Sequence, residues 1–194
     1  MSETANITAR RAAERANAGR FDPISMALHW LTVVLVAAQF GTALLFGQSH
    51  EATFLTVHRS TGVAIFAVMV VRLAWRRSFA YLPPFPDRMP KVQQYAATLN
   101  EYGLYGLLLL QALTGSGDTL FRGRPVMLFI WQMPALLPRN TEAQQLLHVI
   151  HEWGAKAILV LIGIHVGAAL FHGLILRDGI FSRMLPTVRG RHLR

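Results

Sequence analysis

Two histidines mark the ends of one apolar stretch of the chain, HEWGAKAILVLIGIH, which runs from His151 to His165. On an α-helix this spacing corresponds to a rotation of roughly 1400°, about 40° short of four turns, and to a rise of about 21 Å. The two imidazoles therefore share one helix face and lie near its opposite ends. Because ionisable side chains are costly inside a membrane, both positions indicate a function; the alternative for any one of them is a neutral imidazole bonded to a neighbouring helix.

Paired imidazoles bind metals, and the composition limits which metal is expected. The chain has no cysteine, which excludes thiolate-held iron–sulfur clusters and the C-x-x-C-H attachment of a c-type haem. Zinc requires four ligands around one point, whereas one histidine from each of two helices supplies only two. Haem iron takes two axial ligands. Two histidines at each end of the helix would therefore suit a six-coordinate haem at each level.

The elements that position these histidines are apolar helices. Hydrophobic residues make up 53% of the 194 residues, charged residues make up 15%, and the mean hydropathy is +0.35. This composition, clustered in long blocks, predicts a polytopic membrane protein. The net charge is +9, but the basic residues flank the apolar blocks instead of forming a stripe. Nucleic-acid binding is therefore not expected.

Four apolar blocks predict an all-α, integral membrane four-helix bundle. Each block is near the ~20 residues needed to cross a bilayer, although the third is short. They cover Ile24–Gly47, His58–Trp75, Leu99–Gly115 and His151–Leu176. The bundle is expected over residues 21–188, between a polar tail at 1–20, which has no signal-peptide pattern, and a basic tail at 189–194. No internal repeat is apparent.

The connections between the blocks differ in character. Asp22-Pro23 is a helix start signal, and the proline-rich YLPPFPDRMP cannot continue a helix. The VMLFIW run in the last connection is too short to span a membrane and too apolar for a free loop. We expect it to lie in the membrane interface or to cap the bundle.

The distribution of basic residues predicts the orientation in the membrane. Fourteen arginines and lysines lie in the N-terminal tail, the second connection and the C-terminal region, against four (Arg59, Arg122, Arg124 and Arg139) on the other side. Cytoplasmic segments carry the excess of positive charge. Both termini are therefore expected in the cytoplasm.

This orientation pairs the histidines by depth. His29, near the cytoplasmic start of the first helix, pairs with His165, and His58, at the external start of the second, pairs with His151. His148 lies about 100° round the helix from His165. His172 shares the His165 face, so it is either a rival ligand or a partner for a haem propionate or a quinone. His50 and His192 are expected to be solvated.

Further residues suit a haem between these helices. Arginines pair with haem propionates. Suitable depths for this are expected for Arg59 on the external side and for Arg72 and Arg76 on the cytoplasmic side. The alternative for each arginine is that its side chain extends to the membrane interface. Lys156, four residues after Glu152, is explained by an intrahelical ion pair. Glycines near the histidines either make room for a macrocycle or allow close helix packing: Gly62, Gly154, Gly163 and Gly167.

Several stretches resemble the bacterial cytochrome b561 family of di-haem, four-helix membrane cytochromes. They are ALHW around His29, VHRSTG around His58 with MVVRLAWR after it, HEWGAK around His151, IGIHVGAALFHG around His165 and His172, and the PPFP, RGRP and LRDGIFSRMLP segments. The resemblance covers essentially everything after residue 20.

The resemblance implies that His29, His58, His151 and His165 are the axial ligands of two b-type haems. It also implies a location in the bacterial cytoplasmic membrane and electron exchange with the quinone pool. Some members oxidise superoxide at the periplasmic face and reduce ubiquinone, so superoxide or another periplasmic donor is an expected partner. The long connection, with Arg122, Arg124 and Trp131, is the predicted quinone site.

Two other classes of function stay open at this stage. The chain is alternatively the haem-bearing membrane anchor of a separate dehydrogenase or hydrogenase, although such anchors tend to be longer and to have an additional helix. The other class is a proton or metal transporter that uses histidines within the membrane.

Overall fold

The structure is a computed structural model that describes residues 19–47 and 50–185. Of the predicted tails, 1–20 and 189–194, only Gly19 and Arg20 fall within this range, and His192 lies outside it. The described chain forms four long helices, which confirms the predicted helical bundle. They are α1 (Pro23–Ala43), α2 (Glu51–Ser78), α3 (Lys91–Leu120) and α4 (Thr141–Leu170).

Helix α1 begins at the predicted Asp22-Pro23 signal. The Asp22 carboxylate accepts hydrogen bonds from Ser25 N at 2.9 Å and from Ser25 Oγ at 2.6 Å. It therefore accepts from one of the backbone N–H groups of the first turn that have no partner within the helix. Pro23 has no backbone N–H and needs no such partner. Trp75 Nε1 also donates to Asp22 at 3.0 Å, so this cap fixes the start of α1 against the end of α2.

All the helices extend beyond the apolar block that predicted them on at least one side. The largest difference is in α3, which covers Lys91–Leu120 where the block covered Leu99–Gly115. Helix α4 likewise begins ten residues before His151, at a cap in which the Asn140 side chain accepts from Ala143 N at 3.0 Å. Hydropathy detects only the part of a helix that avoids water, whereas capping residues decide where the backbone becomes helical.

Three helices in the described part of the chain are long and apolar enough to cross a membrane: α1, α2 and the segment Thr141–Leu176. Helix α3, predicted as the shortest span, does not meet that measure. It is nonetheless a full member of the bundle, packed along α4 and against α2.

The centre of the bundle is a small apolar core. Five residues form it: Ile65 and Met69 of α2, Tyr105 and Leu108 of α3, and Ile158 of α4. In α4, Ile158 lies midway between His151 and His165. In α2, Ile65 and Met69 lie on the C-terminal side of His58. The core thus separates the two levels at which the histidines occur.

The VMLFIW run forms a short antiparallel hairpin, β1 (Val126–Leu128) and β2 (Trp131–Met133). Strand β1 packs against α2, and the Phe129 amide donates to Ser60 Oγ at 2.6 Å. Phe129 at the turn adopts a left-handed φ of 52°, a conformation that costs energy in a non-glycine residue. The segment therefore caps this end of the bundle, as predicted, but as strands that the hydropathy pattern did not reveal.

The opposite end of the bundle is closed by the chain after α4. The helix continues as a π-helix, Phe171–Leu176, and a 3-10 helix, Phe181–Met184, follows. The Trp30 indole donates to the Met184 carbonyl at 2.8 Å. This segment therefore packs back onto the first turns of α1.

Candidate haem-binding sites

Four histidines meet as two pairs at opposite ends of the bundle. The ring centroids of His58 and His151 are 6.2 Å apart, near the end that carries the β-hairpin, and we name them the hairpin-side pair. The ring centroids of His29 and His165 are also 6.2 Å apart, near the end at which the described chain begins and finishes, and we name them the termini-side pair. These are the two pairs predicted from depth.

The ring separation suits two axial ligands on one metal ion. A metal–imidazole bond is about 2 Å and the ring centre lies about 1.2 Å behind its nitrogen, so two opposed imidazoles on one ion have centroids about 6.3 Å apart. Residues 19–47 and 50–185 contain no group of three or more His, Asp or Glu side chains that could hold a metal. Paired histidines are thus the metal-binding arrangement that the described chain offers.

His58 is held by two residues of α1. Its Nδ1 lies 3.2 Å from the Gln39 carbonyl oxygen and 3.2 Å from Thr42 Oγ1. A carbonyl only accepts, so Nδ1 carries the proton and Nε2 keeps its lone pair for a metal. The Gln39 side chain also donates from Nε2 to the His58 carbonyl at 2.9 Å.

His151 is held in the same way by two residues of α3. Its Nδ1 lies 3.1 Å from the Gln111 carbonyl oxygen and 3.3 Å from Thr114 Oγ1. The Gln111 side chain donates to the His151 carbonyl at 2.7 Å. Each histidine of the hairpin-side pair is therefore fixed by a Gln-x-x-Thr segment of the preceding helix, which we call a clasp.

The termini-side pair has charged neighbours instead. Arg72 Nη2 lies 3.2 Å from His29 Nδ1, and its guanidinium lies 4.9 Å from the centre of the Tyr105 ring. One turn later, Arg76 forms a 2.8 Å ion pair with Glu101 of α3. Arg72 is thus placed at the histidine ring itself, whereas Arg76 is engaged by a carboxylate.

A cavity of about 220 Å³ adjoins the hairpin-side pair, between α2, α3 and the hairpin. Gly115 lines it and abuts the His151 ring, because a Cβ there would lie 2.8 Å from His151 Cε1. Arg59 also lines it, and its Nε is buried without a partner among the described residues. A buried, unpaired guanidinium nitrogen that lines this cavity fits an anionic group such as a haem propionate.

The remaining predicted histidines lie outside the two pairs. His172 is buried, and its Nδ1 lies 2.5 Å from an Asp178 carboxylate oxygen. It is therefore engaged within the chain after α4, while His165 faces His29. His148 is exposed and lies 3.6 Å from Asp118 Oδ2, and His50 is an exposed residue before α2.

Two of the four glycines near the histidines fit the close-packing alternative, because a glutamine side chain of the neighbouring helix lies against each. A Cβ at Gly62 would lie 3.0 Å from Gln39 Nε2, and one at Gly154 would lie 2.5 Å from Gln111 Oε1. These two glycines make room for the clasp side chains and not for a macrocycle. Gly163 has open space around it, as does Gly167. Lys156 forms the predicted pair with Glu152, at 2.8 Å.

The predicted quinone residues in the long connection, Arg122, Arg124 and Trp131, lie in different environments. Arg122 forms an ion pair with Asp118 at 3.0 Å. The Asp118 carboxylate also accepts a hydrogen bond from the Gln144 side chain at 2.6 Å. Arg124 is exposed, and Trp131 is 72% exposed on the hairpin. Quinone binding at this connection therefore stays a prediction.

The clasp residues are the functional candidates that sequence reasoning missed. Gln39 and Thr42 occur as QFGT, and Gln111 and Thr114 occur as QALT. A polar Gln-x-x-Thr inside two otherwise apolar blocks was a visible signal. It also shows a match between the two halves of the chain that no overall repeat revealed.

The model of the family described as "Prokaryotic cytochrome b561" matches residues 20–187. "Cytochrome b561 homolog 2" of Escherichia coli (strain K12) is 30% identical over 174 residues, covering 86% of this chain and 91% of that protein. "Cytochrome b561 homolog 1" of the same strain is 29% identical over 172 residues, covering 86% and 97%.

A third relative carries a more specific name. The protein named "Probable superoxide oxidase CybB" of Yersinia pestis is 26% identical over 174 residues, which cover 88% of this chain and 98% of that protein. The family match spans all four helices. The chain therefore belongs to the prokaryotic cytochrome b561 family, whose members are membrane cytochromes that bind b-type haem and transfer electrons.

Proposed function

We propose that the chain binds two b-type haems and passes electrons through the bundle to or from the quinone pool. His58 and His151 would hold one haem, and His29 and His165 the other. The observation that carries this proposal is the equal separation of 6.2 Å between the two pairs of rings, one pair at each end of the bundle. A haem held by two histidines would supply one-electron transfer.

The side chains around each pair have distinct tasks. The clasps hold Nδ1 of His58 and His151, so that Nε2 keeps the lone pair for iron. Arg59 and Arg72 would offset propionate charge beside the hairpin-side and the termini-side pair, respectively. The apolar core around Met69 and Ile158, each 1% exposed, keeps water out of the space between the two levels.

The orientation proposed from the basic residues places both termini in the cytoplasm and the hairpin outside, in a bacterial inner membrane. The electron partner in the membrane is a quinone, proposed from the family likeness and not from a pocket. Ubiquinol added to the oxidised protein should then reduce the haems. An unchanged spectrum with several quinols would contradict this partner.

Haem content per polypeptide tests the main proposal. The purified protein should give two haems per chain by pyridine haemochrome, and His58→Ala or His151→Ala should leave one. The matched control is His148→Ala, which removes an exposed histidine one turn from His151. One haem in the wild type, or equal loss from the His148 variant, would contradict the two-site arrangement.

A second candidate is superoxide:quinone oxidoreductase activity, favoured by the name of the Yersinia pestis relative and by Arg59. Its unpaired Nε beside the hairpin-side pair would attract an anion. Two superoxide anions would each lose one electron and leave as dioxygen, and one quinone would gain two electrons and two protons. Reduction of the haems by generated superoxide, slowed by salt and by Arg59→Leu, would support this activity. No reduction would contradict it.

The alternative, an anchor subunit for a separate dehydrogenase or hydrogenase, makes a different prediction. A soluble partner would then co-purify in a fixed ratio when the protein is extracted from its native membrane in mild detergent. Isolation of the chain with two haems and no partner, still able to exchange electrons with quinol, would contradict the anchor function.

A further inference from the structure

We propose that the two clasps, Gln39–Thr42 and Gln111–Thr114, lower the midpoint potential of the haem at the hairpin-side pair. Their residues act through His58 and His151, and are therefore positioning residues. The inference rests on the proposed function, because it needs a haem between these two histidines.

The two clasps match in every contact. In each, the histidine Nδ1 lies 3.1–3.3 Å from a glutamine carbonyl oxygen and from a threonine hydroxyl. In each, the glutamine amide donates to the carbonyl of the same histidine, and a glycine on the histidine's helix leaves room for that amide. The amide oxygens, Gln39 Oε1 and Gln111 Oε1, are both buried and unpaired within the described chain.

The hydroxyl groups are oriented to accept from the histidines. Thr42 Oγ1 donates to the Ala38 carbonyl at 2.8 Å, and Thr114 Oγ1 donates to the Leu110 carbonyl at 2.9 Å. Since each hydroxyl has one proton and uses it on its own helix, its lone pairs face the imidazole. Each Nδ1–H therefore has two acceptors, the glutamine carbonyl and the threonine oxygen.

This arrangement has an electronic consequence for a ligand histidine. An Nδ1–H that donates to an oxygen makes the ring more basic and a stronger electron donor at Nε2. Stronger donation stabilises ferric over ferrous iron, so the midpoint potential falls. With a clasp on both axial ligands, the effect acts twice on one haem.

The test uses the full-length protein with both haems bound, and threonine variants that keep the side-chain shape. Thr42→Val and Thr114→Val each remove one of the two acceptors, while Thr42→Ser and Thr114→Ser restore it. Thr98→Val is the matched control, because the Thr98 hydroxyl also bonds to its own helix, at 2.8 Å to the Gln94 carbonyl. The readouts are an optical redox titration and the low-spin EPR signal of the ferric protein.

We expect each valine variant to shift the hairpin-side haem to a more positive potential, by up to about tenfold in the electron-exchange equilibrium, or ~59 mV. The termini-side potential should not move, and the serine variants should return to the wild-type value. His58→Ala identifies the two titration waves. Selective loss of the hairpin-side haem from a double valine variant also supports the proposal.

Three results would overturn it: an unchanged potential in both valine variants, the same shift in Thr98→Val, or loss of both haems together. The proposed function fails separately, through a wild-type protein with fewer than two haems. Two haems with unmoved potentials would refute the clasp inference alone.

Discussion

The hairpin-side and termini-side pairs differ in how the two halves of the chain contribute to them. At the hairpin side both halves supply the same groups, a Gln-x-x-Thr on one helix and a histidine on the next. At the termini side, positions that are equally spaced from the matching glutamines and histidines of the two halves carry different residues. His29 is ten residues before Gln39, but Glu101 is ten before Gln111; His165 is fourteen after His151, but Arg72 is fourteen after His58. One site is thus built twice from matching parts, and the other is not.

The difference is also one of charge. Neutral acceptors contact the His58 and His151 rings at the hairpin side, whereas Arg72 contacts His29 at the termini side. Arg122 and Arg76 are paired with carboxylates, whereas Arg59 lines the cavity with an unpaired Nε and Arg72 contacts His29. What distinguishes the sites is therefore the group at Nδ1. We expect the termini-side haem to have the higher potential, which favours electron flow from the hairpin side.

The largest expected effect comes from crowding one site only. Gly115→Leu places a side chain where a Cβ alone would lie 2.8 Å from His151 Cε1, so the His151 ring must move. We expect one haem per chain instead of two, with the termini-side spectrum retained. Gly106→Leu on the same helix, where a Cβ meets nothing within 4 Å, should keep both haems. Equal losses from the two variants would show that the effect is not specific to the ligand.

The next effect concerns the charge at the termini side. Arg72→Leu removes a cation 3.2 Å from His29 Nδ1, and a nearby cation favours the reduced, less positive iron. The termini-side midpoint potential should fall, while Arg72→Lys should retain most of it. The control is Arg88→Leu in the exposed connection before α3. A fall in the hairpin-side potential instead would reverse our assignment of the two sites.

A smaller effect is expected where the hairpin attaches to the bundle. Ser60→Ala leaves the Phe129 amide without its 2.6 Å acceptor, which should destabilise the protein by about 1 kcal/mol. Thermal unfolding in detergent measures this. Thr61→Ala is the matched control, because among residues 19–47 and 50–185 the Thr61 hydroxyl bonds only to its own helix. Equal shifts in both variants would contradict a specific role for the hairpin contact.

The smallest effect is a pH dependence after α4. Burial acts to raise the pKa of Asp178, but hydrogen bonds from His172 and the Ile180 amide outweigh it and lower the pKa below the usual 3.8. A lowered pKa stabilises the fold above the unfolded value, and this stability is lost as the pH falls through the folded value. The wild type should therefore lose thermal stability below about pH 4, and Asp178→Asn should lose less. Asp87→Asn, an exposed carboxylate, should behave like the wild type.

Much of this architecture was predictable because a membrane imposes simple rules on sequence. A span must be apolar and near a fixed length, so the apolar blocks predicted four helices, three of which in the described chain are long and apolar enough to cross a membrane. Helical periodicity and depth then assigned His29 to His165 and His58 to His151, which are the rings the structure brings together. The helix ends were less predictable, because capping by Asp22 and Asn140 depends on local geometry that hydropathy does not contain.

By itself, then, the sequence determined the helical bundle, its family and which histidines share a level, since spacing along a helix fixes both face and depth. The tertiary structure alone decided what lies behind those histidines. Gln39 and Gln111 reach His58 and His151 across a helix interface, and Arg72 comes to the His29 ring from another helix. Such contacts depend on how helices rotate and pack against one another, and sequence spacing within one helix carries no information about a neighbour's rotation.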